Sequence, residues 1–278
     1  MTLTVAVLCA AVLHAVWNAL AHFVSDKVVS GALVSTAFTI CGLVALPFVG
    51  LPAGPAWPLL LGSVVVHFLY MLALLRSYRL GAFNQVYPLA RGMSPWVVAI
   101  VAVTVIGEPL SVAQTVGVVV VSIGLGLLVL AKGRPHKQEV PAILAATLTG
   151  LMIATYTVID GIGVRRSGSP LSYAACLFFL HGLTVIGFAF LRRGSGLVRA
   201  TASHWKLGAT AGVCAVVAYA LVLWAQAQGA LAAVAALRET SVIVGAIIGA
   251  VFFKEPFGRW RTVATIVVAT GIVLLNLS

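Results

Sequence analysis

The sequence predicts an all-α polytopic membrane protein, ten transmembrane helices built as an inverted repeat of two five-helix halves. Three observations carry that prediction. The first is composition: of 278 residues, 62% are hydrophobic and 8% charged, and mean hydropathy is +1.13. Such a chain divides into many apolar stretches near the roughly 20 residues an α-helix needs to cross a bilayer. The second is self-similarity: residues 87–128 coincide with the chain 147 positions further on at fourteen places, without gaps. Matches among Val, Leu, Ile and Ala carry little weight in so apolar a chain. Arg91 with Arg238, Ser94 with Ser241, Glu108 and Pro109 with Glu255 and Pro256, and Gly124 with Gly271 carry more. The third is that Arg91 and Arg238 lie well inside apolar stretches, where a guanidinium cannot shed its charge and must find a partner in a protein interior or a wet cavity.

Hydropathy punctuated by Gly, Pro and charge places the spans at 2–24, 31–50, 57–76, 82–106, 110–131, 139–160, 170–191, 205–226, 230–253 and 260–277. Five spans per half is an odd number, so the second half (139–278) enters the membrane upside down relative to the first (1–131), with 132–138 as the connector. Connectors are short, with the largest breaks at 132–139 and 192–204, and leave no room for a soluble domain. One side of the membrane collects thirteen Lys and Arg, from Lys27 through Arg261, and the other only Arg165 and Arg166. The positive-inside rule makes the thirteen cytoplasmic and puts both termini outside. A net charge of +11 spread over connectors in this way reflects topology, not nucleic-acid binding.

Span 1 has no basic region ahead of it and carries His14, Trp17 and Asn18, so it reads as a retained span rather than a cleaved signal. Those three share a helical face. In span 3, His67 and Tyr70 do the same, and in span 4 Tyr87 lies one turn before Arg91. Arg91 stands nine residues beyond Ala82, about 13 Å along a helix, too deep to reach the near interface easily. Pro88 and Pro95 flank it, each removing a backbone donor, which predicts a kink that exposes carbonyls to a cavity. The Glu-Pro corners at Glu108 and Glu255 are expected to cap the helices they precede, spans 5 and 10. In span 6, Tyr156 falls opposite Trp17 in the repeat, and Asp160 one turn on is expected near a membrane face, as a gate that pairs with Arg165 or Arg166. His181 in span 7 is a weaker candidate than Tyr219 in span 8. In span 9, Glu239 adjoins Arg238; on a continuous helix their side chains diverge by about 100°, which disfavours a direct pair. Glu239 is free instead to reach Arg91 or a histidine, or to carry a coupling proton, and the residues leave both roles open. Gly245 and Gly249 have GxxxG spacing, expected to serve close helix packing.

The candidate solute-binding set is therefore Arg91, Arg238, Glu239, His14, Trp17, Asn18, His67, Tyr70, Tyr87, Tyr156 and Tyr219, with Glu239 and Asp160 as gate or coupling residues. The in-span tally of Arg91, Arg238 and Glu239 leaves one positive charge, which favours an anionic or zwitterionic solute. Each polar residue taken alone also fits an interhelical hydrogen bond. Cys9, Cys41, Cys176 and Cys214 are scattered without CxxC spacing and read as small core residues; no metal set or cofactor motif is present in the pattern.

The segments HAVWN (His14 to Asn18), VYPLARGMSP (Val86 to Pro95), GEPLS (Gly107 to Ser111), and ALRETS followed by FFKEP (Ala236 to Pro256) resemble the EamA-type permeases of the drug/metabolite transporter superfamily. That resemblance implies a ten-helix permease that moves small metabolites by alternating access. It also implies a cavity lined mainly by spans 1, 3, 4, 6, 8 and 9, with span 7 peripheral, and a multi-pass place in a prokaryotic cell membrane. HAVWN and YPLARG also resemble a subset associated with phosphonate use. No GxxxxGK[ST] supports an ATP site, and no HExxH, GxSxG or carboxylate pair supports the rival reading of an intramembrane enzyme. A passive channel and an exporter of cationic, amphipathic drugs are further alternatives. The expected partners are a small-molecule solute and lipid, with a homodimer through the outer faces of spans 5 and 10 a further possibility.

Overall fold

A computed structural model describes residues 2–81, 83–130, 139–252 and 259–275. Among them every regular element is a helix. In chain order these are α1 (Thr2–His22), α2 (Lys27–Val49), α3 (Trp57–Leu80), α4 (Phe83–Val101), α5 (Val112–Leu130), α6 (Val140–Arg166), α7 (Pro170–Arg193), α8 (Gly196–Ala202), α9 (Trp205–Gln228), α10 (Leu231–Arg238), α11 (Ser241–Phe252) and α12 (Arg259–Leu275). Seven helical stretches are long and apolar enough to cross a membrane, and Val112–Leu127 and Thr262–Leu275 are shorter apolar helices. The outward surface is apolar, with Phe48, Leu191 and Val112 each more than 80% exposed. In lipid that costs nothing, because the helices satisfy their own backbone groups.

Local chemistry explains the boundaries that hydropathy misplaced. α2 begins at Lys27, four residues before the expected start, because the Asp26 carboxylate caps it, accepting from the N–H groups of Val28 (2.9 Å) and Val29 (3.4 Å). α6 runs to Arg166, six residues beyond the expected end, so Asp160 lies more than a turn inside the helix. The break expected at 192–204 contains α8. α4 continues through Pro88 and Pro95 as one helix. Its irregular end is later, a π-turn at Ala102–Ile106 closed by Gly107, whose positive φ of 74° lets its N–H return to the Ala102 carbonyl.

That turn displaces the Glu-Pro corner from its expected role. α5 is capped by Ser111 and Gln114, which exchange side-chain bonds with each other's backbone N–H groups (3.1 and 3.0 Å), a capping box. Glu108 is left to act elsewhere. Its counterpart Glu255, with Pro256 and the connector 132–138, lies outside the described residues.

α2 packs on α7, α5 on α12, α3 on α6 and α7, α1 on α9, α10 and α11, α4 on α6, and α2 on α9. The α5 and α12 backbones approach closely at glycine. A Cβ on Gly124 would sit 2.6 Å from the Val268 side chain, and one on Gly271 would sit 2.7 Å from Val121 and 3.0 Å from the Gly117 carbonyl. Small residues of this kind, rather than the hydrophobic effect, let helices associate in lipid. Gly245, expected to serve the same purpose, has nothing within 4 Å of its Cβ position; the side-chain position of Gly249 lies outside the described set. Of the four free cysteines, Cys176 is buried, Cys41 and Cys214 are half-buried and Cys9 is exposed, so the core reading fails for Cys9.

Gly271→Ala, which drives a methyl into backbone, is expected to destabilise the protein by about 1–3 kcal/mol. Gly62→Ala, on α3 with open space around it, is expected to be neutral or stabilising. Thermal unfolding in detergent reads both; equal behaviour of the two would show that α5 and α12 are not in tight contact.

Candidate functional site

Two charged centres lie next to each other inside the bundle. The first depends on a broken helix. α10 ends at Arg238, Glu239 occupies the cap with φ −70° and ψ −8°, and α11 starts at Ser241. A cation in the last turn of one helix and an anion just ahead of the next each sit at the end of favourable dipole sign. The chain passes between the helices in a tight i to i+3 turn, and the two long side chains curl toward each other, so the pair expected to be awkward forms. Arg238 donates to Glu239 Oε1 from Nη2 (3.2 Å) and Nε (3.4 Å), and Arg91 donates to the same oxygen from Nη1 (3.3 Å). One carboxylate oxygen thus bridges two guanidiniums, with Arg91 4%, Arg238 3% and Glu239 0% exposed.

The neighbours of this triad come from α1 and α6. Arg91 Nη2 meets His14 Nε2, and His14 Nδ1 accepts from Trp17 Nε1 at 3.3 Å. Arg238 Nη2 also donates to Thr157 Oγ1 (3.3 Å), and its guanidinium stands 5.9 Å from the centroid of the Tyr156 ring.

The second centre is Asp160. It was expected near a membrane face and paired with Arg165 or Arg166, and it is neither. The longer α6 carries it inward, where it is fully buried. Tyr173 on α7 donates to Oδ1 (2.9 Å) and Tyr219 on α9 donates to Oδ2 (2.5 Å). His67 Nε2 on α3 lies 3.9 Å from Oδ2, and its Nδ1 is 3.0 Å from the Ser63 carbonyl. The Tyr156 ring separates the two centres: it stacks on His67 at 4.0 Å on one side and faces Arg238 on the other, with Tyr70 edge-on at 5.5 Å. With Asp160 inside, the formal charge of Arg91, Arg238, Glu239 and Asp160 is +2 − 2 = 0, not the single positive charge of the sequence tally.

Arg165 takes a different partner. Its Nη2 donates to Glu108 Oε1 (2.9 Å) and to the Gly229 carbonyl (2.6 Å), and its Nε donates to the Gln226 carbonyl (2.9 Å). Glu108 Oε2 accepts from the N–H of Leu231 at 2.9 Å. The carboxylate expected to cap α5 therefore caps α10, and with Arg165 it ties the ends of α4, α6, α9 and α10 into a clasp.

The structure thus gathers Arg91, Arg238, Glu239, His14 and Trp17 into one centre, and His67, Tyr156, Tyr219, Tyr70 and Asp160 into its neighbour. Asn18 is turned back on its own helix, donating to the His14 carbonyl at 2.7 Å. The Tyr87 side chain lies outside the described residues. Thr157, Tyr173 and Ser63 were missed. Thr157 was legible as the neighbour of Tyr156 one turn from Asp160. Tyr173 was not, because span 7 was placed at the periphery; His181 on that helix likewise comes within 5.2 Å of the His67 ring.

Tyr219→Phe and Tyr173→Phe each remove a donor from a fully buried carboxylate, which costs about 1–3 kcal/mol. Each variant should unfold at a lower temperature than wild type in detergent, and the double variant lower still. Unchanged stability in all three would mean that other groups satisfy Asp160.

Comparison with known proteins places this geometry in context. No curated protein matches the sequence. A solved structure described as "Crystal structure of protein" superposes with a TM-score of 0.75 at 18% identity, covering 100% of this chain and 99% of its own, a likeness of fold. The EamA-like transporter family matches residues 140–277, the stretch from α6 to the end of α12 that holds Asp160, Arg238 and Glu239. By that match, and by the HAVWN, YPLARG and GEPLS segments of its first half, the chain is a multi-pass membrane protein of the drug/metabolite transporter superfamily and belongs to the EamA-like transporter family.

Proposed function

We propose that the protein is a secondary transporter for a small polar metabolite bearing an anionic group, carboxylate or phosphonate-like, bound at the Arg91–Arg238 centre. The observation that carries this reading is the pair of buried guanidiniums converging on a single carboxylate oxygen. Guanidinium forks grip planar oxyanions with two donors each, and the low dielectric of a bilayer interior strengthens that grip. Intramembrane charges of this kind mark solute pathways.

The packing supports ten spans arranged as two inverted halves, 1–131 and 139–278. Exchanging α1 with α6, α2 with α7, α3 with α9, α4 with the α10–α11 pair, and α5 with α12 carries the most extensive helix pairs onto one another: α1 on α9 becomes α6 on α3, and α4 on α6 becomes α10 and α11 on α1, while the packing of α9 on α6 and α7 has no such counterpart among the described residues. The contact of Gly124 with Val268 becomes that of Gly271 with Val121, at nearly the same distance. Two halves of this kind rocking about a shared centre alternate access. Arg165 and Glu108 then form a gate, closing one end of the centre by binding the α9 carboxyl end and the α10 amino end together. The charge bias of the connectors makes that end the outer one, in a prokaryotic cell membrane.

A second reading is carried by Asp160. A buried carboxylate among Tyr156, Tyr219 and His67 suits a cationic solute, and an exporter of amines would use it in place of the arginines.

Purified protein should be stabilised thermally by members of a panel of amino acids, organic acids and phosphonates, and not by cationic amines alone; amines alone would select the second reading. Arg91→Ala and Arg238→Ala should each abolish that stabilisation and remain monodisperse, because either arginine left in place still pairs with Glu239. The double variant leaves a buried carboxylate unpaired, a loss of about 3–5 kcal/mol. Normal solute counterflow by both single variants in liposomes would remove the arginines from the site. Arg165→Gln should increase labelling of a cysteine placed at Thr157 by an impermeant maleimide added from the outer side; no change would rule the clasp out as a gate.

A further inference from the structure

The repeat that matches Arg91 with Arg238 matches Gly92 with Glu239. Two halves therefore supply two equivalent cations, and one half alone supplies a carboxylate. Gly92 faces α5, its Cβ position 3.2 Å from Leu125, so a symmetric carboxylate has no room there. Glu239 serves both arginines through one oxygen, while its second oxygen, Oε2, is buried and has no hydrogen-bond partner among the described residues. Ser94 and Ser241, each three positions beyond its arginine, are also buried, and their hydroxyls lack hydrogen-bond partners; so does the hydroxyl of Thr240. A counter-ion used purely to neutralise a buried cation pair would be expected to fill its acceptor sites, since each unmade bond in such a place is unfavourable. This centre instead keeps one carboxylate oxygen idle, and the hydroxyls of Ser94, Thr240 and Ser241 are idle as well.

Resting on the arginine-centred reading of the solute site, we propose that Glu239 is a tethered counter-anion that the solute's oxyanion replaces: its carboxylate occupies the arginine pair when no solute is bound and leaves it, taking up a proton from the water that enters with the solute, when a carboxylate, phosphonate or phosphate group enters. Three features make the exchange feasible. The solute's oxyanion and the Glu239 carboxylate present the same chemistry to the two guanidiniums, so the arginines are never left without a counter-charge in the membrane. Glu239 sits at the α10–α11 turn, where its N–H bonds to the Ala236 carbonyl (3.2 Å) and its carbonyl accepts from the Val242 N–H (3.0 Å), so the side chain moves by rotamer change alone. The repeat-matched hydroxyls of Ser94 and Ser241 stand one turn from the arginines, available to an anion with more oxygens than a carboxylate. Specificity follows as well. An uncharged or cationic solute cannot take over from Glu239, because displacing it would strand two cations in a low-dielectric interior.

The test uses the full-length protein in detergent, with sodium acetate and inorganic phosphate as probes and tetramethylammonium chloride at matched ionic strength as control. Thermal unfolding is followed against probe concentration for wild type, Glu239→Gln, Glu239→Ala and Arg91→Ala. The proposal requires that Glu239→Gln reach half-maximal stabilisation at a concentration of acetate or phosphate at least tenfold lower than wild type. It also requires that Glu239→Ala, which melts lower in the absence of probe, be restored by acetate and not by the control salt. Where Glu239→Gln does not yield folded protein, Glu239→Asp carries the same comparison: its carboxylate is one methylene shorter and cannot hold both arginines, so the probe should bind several-fold more tightly. If wild type responds to the probes in an Arg91-dependent way but the Glu239 variants bind no more tightly, the tethered anion is overturned and the arginine-centred site stands. If no anion stabilises wild type or any Glu239 variant while amines do, both fall.

Discussion

Two permanent cations inside a lipid-spanning bundle set the terms for the rest of this structure. Arginine does not neutralise itself by losing a proton, so Arg91 and Arg238 require a counter-charge at hydrogen-bonding distance or a path to water. Glu239 supplies that charge from the turn between α10 and α11. In a continuous helix the carboxylate would point about a quarter-turn away from its neighbour. The turn between α10 and α11 carries the backbone through this point with i to i+3 bonds, and the long side chains curl to meet. It also brings a cation to a helix carboxyl end and an anion to a helix amino end, where the dipoles favour them.

Around this point the bundle divides into a fixed part and a part suited to movement. α5 and α12 meet through glycines whose Cβ positions would overlap the facing backbone or side chains, a contact with no slack. The clasp of Arg165 with Glu108 is different in kind. It binds helix ends through a half-exposed ion pair and three backbone groups, interactions that water can replace when the clasp opens. An arrangement with one tight helix pair and separable ends suits a protein that rocks two halves about a central site, the transport mode proposed for this member of the EamA-like family.

Much of the site was legible residue by residue. His14 and Trp17 were read from their shared face, Arg91 and Arg238 from depth and repetition, and Tyr156 from its match to Trp17; the first four lie at the Glu239 centre and Tyr156 beside His67. Asp160 was misjudged for one reason. The run from Asp160 to Arg166 is rich in glycine and charge, so hydropathy read it as a connector, whereas packing against α3 and α9 keeps it helical and draws the carboxylate inside. Propensity yields to tertiary contact in such segments. Glu108 shows the same limit. Its position before Pro109 suggested capping of the next helix, but the turn closed by Gly107 aims its carboxylate across the bundle at Leu231 and Arg165.

The amino-acid sequence alone determined that this chain is helical and membrane-spanning, that residues 87–128 recur 147 positions further on at fourteen places, and that two arginines lie within apolar stretches. Those properties follow from composition, spacing and the fixed charge of a guanidinium, none of which depends on how helices are placed. Which carboxylate meets which cation was decided only by the tertiary structure. Pairing over 148 residues, as between Arg91 and Glu239, depends on where a helix breaks and which face each helix turns inward, and short-range sequence pattern carries neither.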